Sequence, residues 1–187
     1  MRKIIITIIC ITCLSTLSNA QEKLDINVTK SSIKWIGELT FHFGGHDGFI
    51  NFKEGYFIKT KDVITGGEFI IDMNSITNSD IKEKRGKDSL VKHLMEPDFF
   101  DVEKHPLATL VISSVEFFKD KSMRIHARLT LKGITKAIRF NATPNYQEKS
   151  LHTKFKINRQ DWNVNYKSKF KNNVISDAIG FEVILKL

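Results

Sequence analysis

Six histidines are the side chains best able to do chemistry in this chain of 187 residues, and their spacing decides what they could do. His42 and His46 stand four apart, so a helix or a strand would turn both to one side, as a metal ion or an acid/base pair requires. Gly44-Gly45 between them favours a bend, however, and neither an HExxH pattern nor a carboxylate cluster accompanies them. A turn-packing or pocket-mouth role therefore outweighs a metal site. His93, His105, His126 and His152 fall at helix-face, turn and outward-strand positions. The paired carboxylates Asp98 and Asp101 sit in a turn and fit a helix-end network better than an acid/base pair. No serine stands in a GxSxG elbow and no glycine-rich phosphate loop precedes a helix. The sequence thus predicts no catalytic residue, no metal site and no cofactor.

The residues that ask for an explanation are apolar. His93-Leu94-Met95-Glu96-Pro97-Asp98-Phe99-Phe100-Asp101-Val102-Glu103-Lys104-His105-Pro106 holds two adjacent phenylalanines between two prolines and rings them with charge. Such a pair must be buried, and the segment runs straight into the apolar Leu107–Ile112. This predicts a folded plug or lid beside a β-sheet.

The elements that would carry the lid read clearly. Met123, Ile125, Ala127, Leu129 and Leu131 alternate with polar residues, as do Leu151, Thr153, Phe155 and Ile157, and Ile179, Phe181, Val183 and Leu185. Period-two alternation marks strands with one dry and one wet face. Further strands are expected at Ser32–Glu38, Gly48–Lys59 with a bulge near Gly55, Gly67–Met73, Leu107–Phe118 and Ala137–Tyr146. Turns fall at Lys119–Lys121 and Gly133–Thr135. One helix is expected, capped by Asp88, with Leu90, Val91, Leu94 and Met95 on one face and Pro97 as its stop. The charged run Asp80–Arg85 adds a turn before it. With no long helix between consecutive strands, neighbours should be antiparallel. Roughly eight such strands can bury their dry faces by closing into a barrel or by stacking as a sandwich, so the expected class is all-β.

Met1-Arg2-Lys3, the apolar stretch Ile4–Leu17 and the small residues Ser18-Asn19-Ala20 predict a signal peptide over residues 1–20, cleaved after Ala20, and one domain over 21–187. Cys10 and Cys13 are the chain's 2 cysteines, so the expected mature chain has no disulfide or thiolate chemistry. A net charge of +8 could suit an anionic partner, but the lysines are scattered and no aromatic-interleaved basic patch occurs, so nucleic acid is not expected. The 14 phenylalanines leave apolar volume to account for, either as packed core or as the wall of a ligand channel.

The segment from His93 to Pro106 resembles the stretch that marks the YceI-like family of exported, polyisoprenoid-binding bacterial proteins. Leu129-Thr130-Leu131-Lys132-Gly133-Ile134-Thr135-Lys136 is similar to its second signature. Ser32-Ile33-Lys34-Trp35, His46-Asp47-Gly48-Phe49-Ile50 and Asn158-Arg159-Gln160-Asp161-Trp162 are similar to other segments, in family order. The chain departs from the common form at Lys87-Asp88, where an Arg-Asp pair is usual, and at its end, Tyr166-Lys167-Ser168 to Ile175-Ser176-Asp177.

The resemblance implies an all-β fold, an antiparallel eight-stranded, lipocalin-like barrel with a short helical insertion between strands, enclosing an elongated channel for an isoprenoid lipid, either a polyprenyl chain or a quinone tail. On that reading the protein is a non-catalytic carrier, periplasmic or secreted, lined by Phe69, Ile71, Met73, Leu129, Leu131, Phe155, Ile157 and Phe181, with Phe99 and Phe100 anchoring the insertion. Its expected partners are an isoprenoid lipid or other long apolar ligand and, transiently, a membrane, with a homodimer kept as an alternative to a monomer. Three other readings compete: a side-chain-filled barrel serving as a stress-related or partner-binding module, an outer-membrane barrel, and an enzyme centred on His42 and His46.

Overall fold

The computed structural model describes residues 21–40, 44–166 and 175–187; the predicted signal peptide and His42 lie outside them. Among the described residues the strands are β1 (Gln21–Asp25), β2 (Ser32–Leu39), β3 (Gly45–Thr60), β4 (Val63–Asp72), β5 (Leu107–Phe117), β6 (Met123–Leu131), β7 (Ile134–Asn145), β8 (Ser150–Asn158) and β9 (Ile175–Lys186). One helix, α1 (Lys84–Met95), lies between β4 and β5. Every ladder is antiparallel, in the order β1-β3-β2-β9-β8-β7-β6-β5-β4, and a further β3–β4 ladder joins the ends. Strands β2 to β9 therefore close into the expected eight-stranded barrel. The upper end carries the β2–β3, β4–β5, β6–β7 and β8–β9 connections, and the lower end carries the β3–β4, β5–β6 and β7–β8 turns.

Several local expectations need correction. β1 is a ninth strand with no alternation to announce it, and it pairs with the second half of β3, from Gln21 opposite Thr60 to Asp25 opposite Tyr56. β4 begins at Val63 instead of Gly67, directly after a two-residue turn in which Lys61 and Asp62 have φ of 49° and 68°. The β6–β7 turn is Lys132-Gly133, with φ of 50° and 72°, not Gly133–Thr135. Two consecutive positive φ values are what tight hairpins need to match the twist of their strands. The bulge in β3 falls at Lys53, not Gly55. It shifts the inward phase by one residue, so that Phe52 and Phe57 both reach the core.

The helix starts earlier than Asp88. Glu83 is its cap, its carboxylate accepting from the Arg85 and Gly86 amides at 2.8 and 2.6 Å, while Asp88 lies within the helix, paired with Lys84. The helix stops before Pro97, as its fixed φ and missing N–H require.

The insertion between β4 and β5 is strapped to β2 and β3. Thr77 donates its amide to Phe49 O (2.8 Å), and its carbonyl accepts from Trp35 Nε1 (2.9 Å). Asn78, fully buried, donates to Asp47 O (3.0 Å) and to Asp80 Oδ1, and its own Oδ1 accepts from the Ile81 amide. Asp80 also accepts from the Asp47 amide at 2.9 Å and meets His46 Nδ1 at 2.8 Å. Burial pulls the Asp80 carboxyl up, but the bonds from His46, the Asp47 amide and Asn78 outweigh it and hold the group at about 2. The Lys34 ammonium, 2.8 Å away, and the Ser79 hydroxyl hold Asp47 below its usual value as well.

Two outcomes follow for this strap. A Cβ at Gly48 would lie 1.8 Å from Thr77 O, so Gly48→Ala should cost about 2–3 kcal/mol by overpacking and raise hydrogen exchange across residues 76–106. Unchanged exchange there would mean that the strap does not hold the insertion. The Asp80 carboxyl sits lower in the folded chain than the ordinary aspartate value of about 3.9, so its contribution is complete above about pH 4 and fades as pH falls toward 2. Denaturant titrations should show the stability gap between wild type and Asp80→Asn narrowing over that window, whereas a constant gap would contradict the assignment.

Candidate functional site

The inward faces of the eight barrel strands do not meet. They enclose, together with α1 and the turn after it, an apolar cavity of about 200 Å³. Its lining residues run along β9 from Ile179 to Leu185, roughly 20 Å of strand at about 3.3 Å per residue. The space is therefore a channel that follows the strands, with all eight of them in its wall.

Aromatic rings dominate two opposite sides. Phe57 meets Phe69 edge-on at 5.1 Å, and Phe52 lies 6.1 Å from Phe69, on β3 and β4. Halfway round the barrel, Phe155 stacks on Phe140 at 4.5 Å and lies 5.4 Å from Phe181. Phe155, Phe181, Val183 and Leu110 face inward yet stay only half-buried, because the area they leave open borders the channel. The polar Thr153 on this wall spends its hydroxyl on Asn141 O, at 2.7 Å.

The upper end is different in chemistry. Glu38, His46, Arg159 and Ser176 join the wall there. Arg159 is buried, and its guanidinium is held by Ser176 O at 3.2 Å, by Val164 O and by Asp177 at 2.9 Å. A cation so deep is tolerated because each face of the guanidinium fork finds an acceptor.

The lid segment closes over this end. Leu90 and Leu94 of α1 and the buried Phe99 and Phe100 all reach the channel. Phe99 stacks on Tyr166 at 5.1 Å, and the His93 ring stands edge-on to both, at 5.0 and 4.6 Å. His93, Glu96 and Asp98 present ligand-type atoms within 4.8 Å of one another. His93 Nδ1 meets Glu96 at 2.9 Å, across the end of the helix, while its Nε2 is buried with no hydrogen-bond partner among the described residues. Lys132 ties three upper segments together, its ammonium donating to Pro97 O at 2.7 Å and Asn163 O at 2.8 Å. Gly133 has no room for a side chain, since a Cβ would lie 2.8 Å from the His105 ring. Trp162 adds a bond from Nε1 to Leu129 O, at 3.2 Å.

Of the residues predicted to line a channel, the structure puts Phe69, Ile71, Met73, Phe99, Phe100, Leu129, Leu131, Phe155 and Phe181 on the cavity wall. Ile157 is corrected. It shares the inward face of β8 and is buried but is not on the cavity wall, standing where the chain leaves β8 for the 3-10 turn Arg159–Trp162. The prediction overlooked Trp35, Phe52, Phe57, Phe140 and Arg159, all on the wall. Trp35 and Phe140 were accessible through alternation, Phe57 was hidden by the bulge, and no periodicity could place Arg159. Of the histidine pair, His42 lies outside the described residues, and His46 belongs to the Asp80 strap at the channel's upper rim.

The outer faces of β6, β7 and β8 carry Arg124, Arg128, Arg139, Lys154 and Lys156 at exposed or half-exposed positions. In an outer-membrane barrel these side chains would face lipid, where an arginine or lysine costs roughly 2–4 kcal/mol near the midplane.

Comparison with known proteins agrees with this geometry. The profile described as a YceI-like domain matches residues 16–187. A UPF0312 protein of Pseudomonas putida is 41% identical over 58 residues, covering 31% of this chain and 30% of that protein; its counterpart in another strain of the species is 38% identical over 58 residues, with the same coverage. The alignments thus span under a third of these relatives' length. The crystal structure of Burkholderia cenocepacia BcnA superposes with a TM-score of 0.70 at 18% identity, covering 86% of this chain and 98% of that one, which establishes a shared fold. A profile match running from residue 16 through the last barrel strand, laid over a closed eight-stranded barrel with one helical insertion, makes this chain a member of the YceI-like family.

Proposed function

We propose that the protein is a non-catalytic, exported carrier that sequesters one isoprenoid chain in the barrel channel. The observation that carries this reading is the half-buried state of inward-facing Phe155 and Phe181 on the channel wall. A barrel evolved only to be filled by its own side chains would cover those rings, since protein interiors pack densely. The elongated bore favours a thin, flexible chain over a compact ligand. Each five-carbon unit withdrawn from water contributes up to about 4 kcal/mol, so a few units offset an association cost of roughly 4–15 kcal/mol. The apolar lower wall would hold the tail, and the Glu38, His46, Arg159 and Ser176 rim would face the polar end. The leader expected from the sequence over residues 1–20 fits export, to the periplasm or beyond.

Native mass spectrometry of protein purified from its exported fraction, followed by organic extraction, should show one chain-like lipid per barrel. Val183→Trp, which fills the channel from a half-buried wall position, should abolish that adduct. Phe155→Ala should weaken lipid retention by about tenfold or more while costing less than the roughly 3–5 kcal/mol typical of a fully buried phenylalanine. Lipid-free native protein that also takes up no polyprenyl lipid after delipidation would overturn the carrier reading.

A further inference from the structure

The turn that ends α1 gathers groups that the channel does not use. His93, Glu96 and Asp98 each present a ligand-type atom, and the three atoms lie within 4.8 Å of one another. Residues three apart on a helix share a face, which sets Glu96 beside His93. Pro97 then ends the helix, and the Phe99 and Asp101 amides, both bonded to Glu96 O at 3.0 Å, fold the chain back so that Asp98 returns to the same side. The sequence pairs Asp98 with Asp101; in the structure Asp101 meets Lys104 instead, at 3.5 Å.

Charge and hydrogen bonding are both incomplete at this turn. Among the described residues no lysine or arginine forms an ion pair with Glu96 or Asp98, and Lys132, beside them, spends its ammonium on Pro97 O and Asn163 O. His93 Nδ1 stands 2.9 Å from Glu96 Oε2, so a cation or a proton must lie between two atoms that otherwise face each other with lone pairs. A proton on Nδ1 of the neutral ring meets that need but leaves Nε2 as a bare lone pair. Nε2 is buried with no hydrogen-bond partner among the described residues, in a ring that stands edge-on to Phe99 and Tyr166. A metal ion on Nδ1 puts the ring's proton on Nε2, and aromatic surroundings suit an N–H better than a lone pair.

From this geometry we propose that His93, Glu96 and Asp98 bind a Zn²⁺ ion through His93 Nδ1 and a carboxylate oxygen of each acid, with water in the remaining position. One imidazole nitrogen and two carboxylate oxygens form a donor set that zinc accepts, whereas Mg²⁺ and Ca²⁺ ask for oxygen alone. Donors bound to one zinc at about 2.0–2.2 Å stand roughly 3–4 Å apart. Small rotamer shifts of the two acids complete the site, since the Glu96 side chain is 45% exposed and Asp98 is exposed. The ion joins the end of α1 to the turn that carries Phe99 and holds the His93 ring against Phe99 and Tyr166. The site needs no lipid in the channel, so it stands apart from the carrier reading.

Calorimetric titration of Zn²⁺ into chelator-treated protein tests the assignment. Wild type should take up one Zn²⁺ per chain at micromolar concentration, keep it against millimolar Mg²⁺, and melt at a higher temperature with the ion than without it. Glu96→Gln and Asp98→Asn preserve shape while removing a charge, and each should weaken binding by at least about tenfold, a loss that even an outer partner of a metal ligand can cause. His126→Ala removes a histidine that meets a single carboxylate, Glu116 at 2.8 Å, and should leave binding near wild type. NMR of the histidine ring nitrogens should place the His93 proton on Nε2 once Zn²⁺ is added. The proposal is overturned if Zn²⁺ binds only at millimolar concentration or not at all, if either carboxylate variant binds as wild type does, or if His93 keeps its proton on Nδ1. Loss of binding in His126→Ala would equally overturn it, because a surface histidine pair would then hold the ion.

Discussion

The β3–β4 ladder is the contact on which the rest of the molecule depends. Without it the sheet would be an open ribbon with its apolar face in water; with it, the dry faces of eight strands turn toward one axis. β3 can do this because it is 16 residues long and bulged. Its first half pairs with β2, its second half with β1, and β4 pairs along most of its length. The bulge at Lys53 keeps the two halves in phase with the interior. A one-residue slip without it would send Phe57 outward and leave the lower half of the barrel without a wall.

Closure fixes a circumference, and the circumference sets the problem that the upper end solves. An eight-stranded barrel is just wide enough to be filled by side chains or to hold one ligand, and here the side chains stop short of each other. The open end would admit water to an apolar bore. The insertion covers it, strapped on one side through Thr77, Asn78 and Asp80 and held on the other by Lys132 and the His105–Gly133 contact. Segments far apart in sequence, around Trp35, Gly48, Phe99, Lys132 and Trp162, thereby become one structural unit. Their common duty is to keep a lid seated.

Much of this was legible in the residues. Strict alternation in β6, β8 and β9 identified inward side chains without ambiguity, and two adjacent phenylalanines between prolines announced a buried lid. What escaped were features that depend on partners instead of pattern. β1 has too few apolar residues to alternate, and its place is set by the free edge of β3. The turn at Lys61-Asp62 uses none of the glycine that usually marks such a hairpin. Glu83 outcompetes Asp88 as cap because it stands where the first free amides are. Ile157 has the periodicity of a wall residue, but whether an inward side chain borders space or packing depends on what the chain does next, and there it turns inward toward Trp162 and Val164. Arg159 reads as an ordinary surface cation until the carbonyls of Val164 and Ser176 come round to meet it.

The short strand outside the barrel has a consequence of its own. In the described sheet β1 is the strand with a single neighbour, so its outer edge presents a row of backbone donors and acceptors to another molecule. Three of its five residues are charged: Glu22, Lys23 and Asp25. All three are exposed, and Lys23 lies over the Tyr56 ring at 4.1 Å. Brevity and charge are the devices by which soluble sheets discourage another chain from adding a strand. At this edge the fold offers a neighbouring chain only a five-residue strip and makes that strip hard to extend.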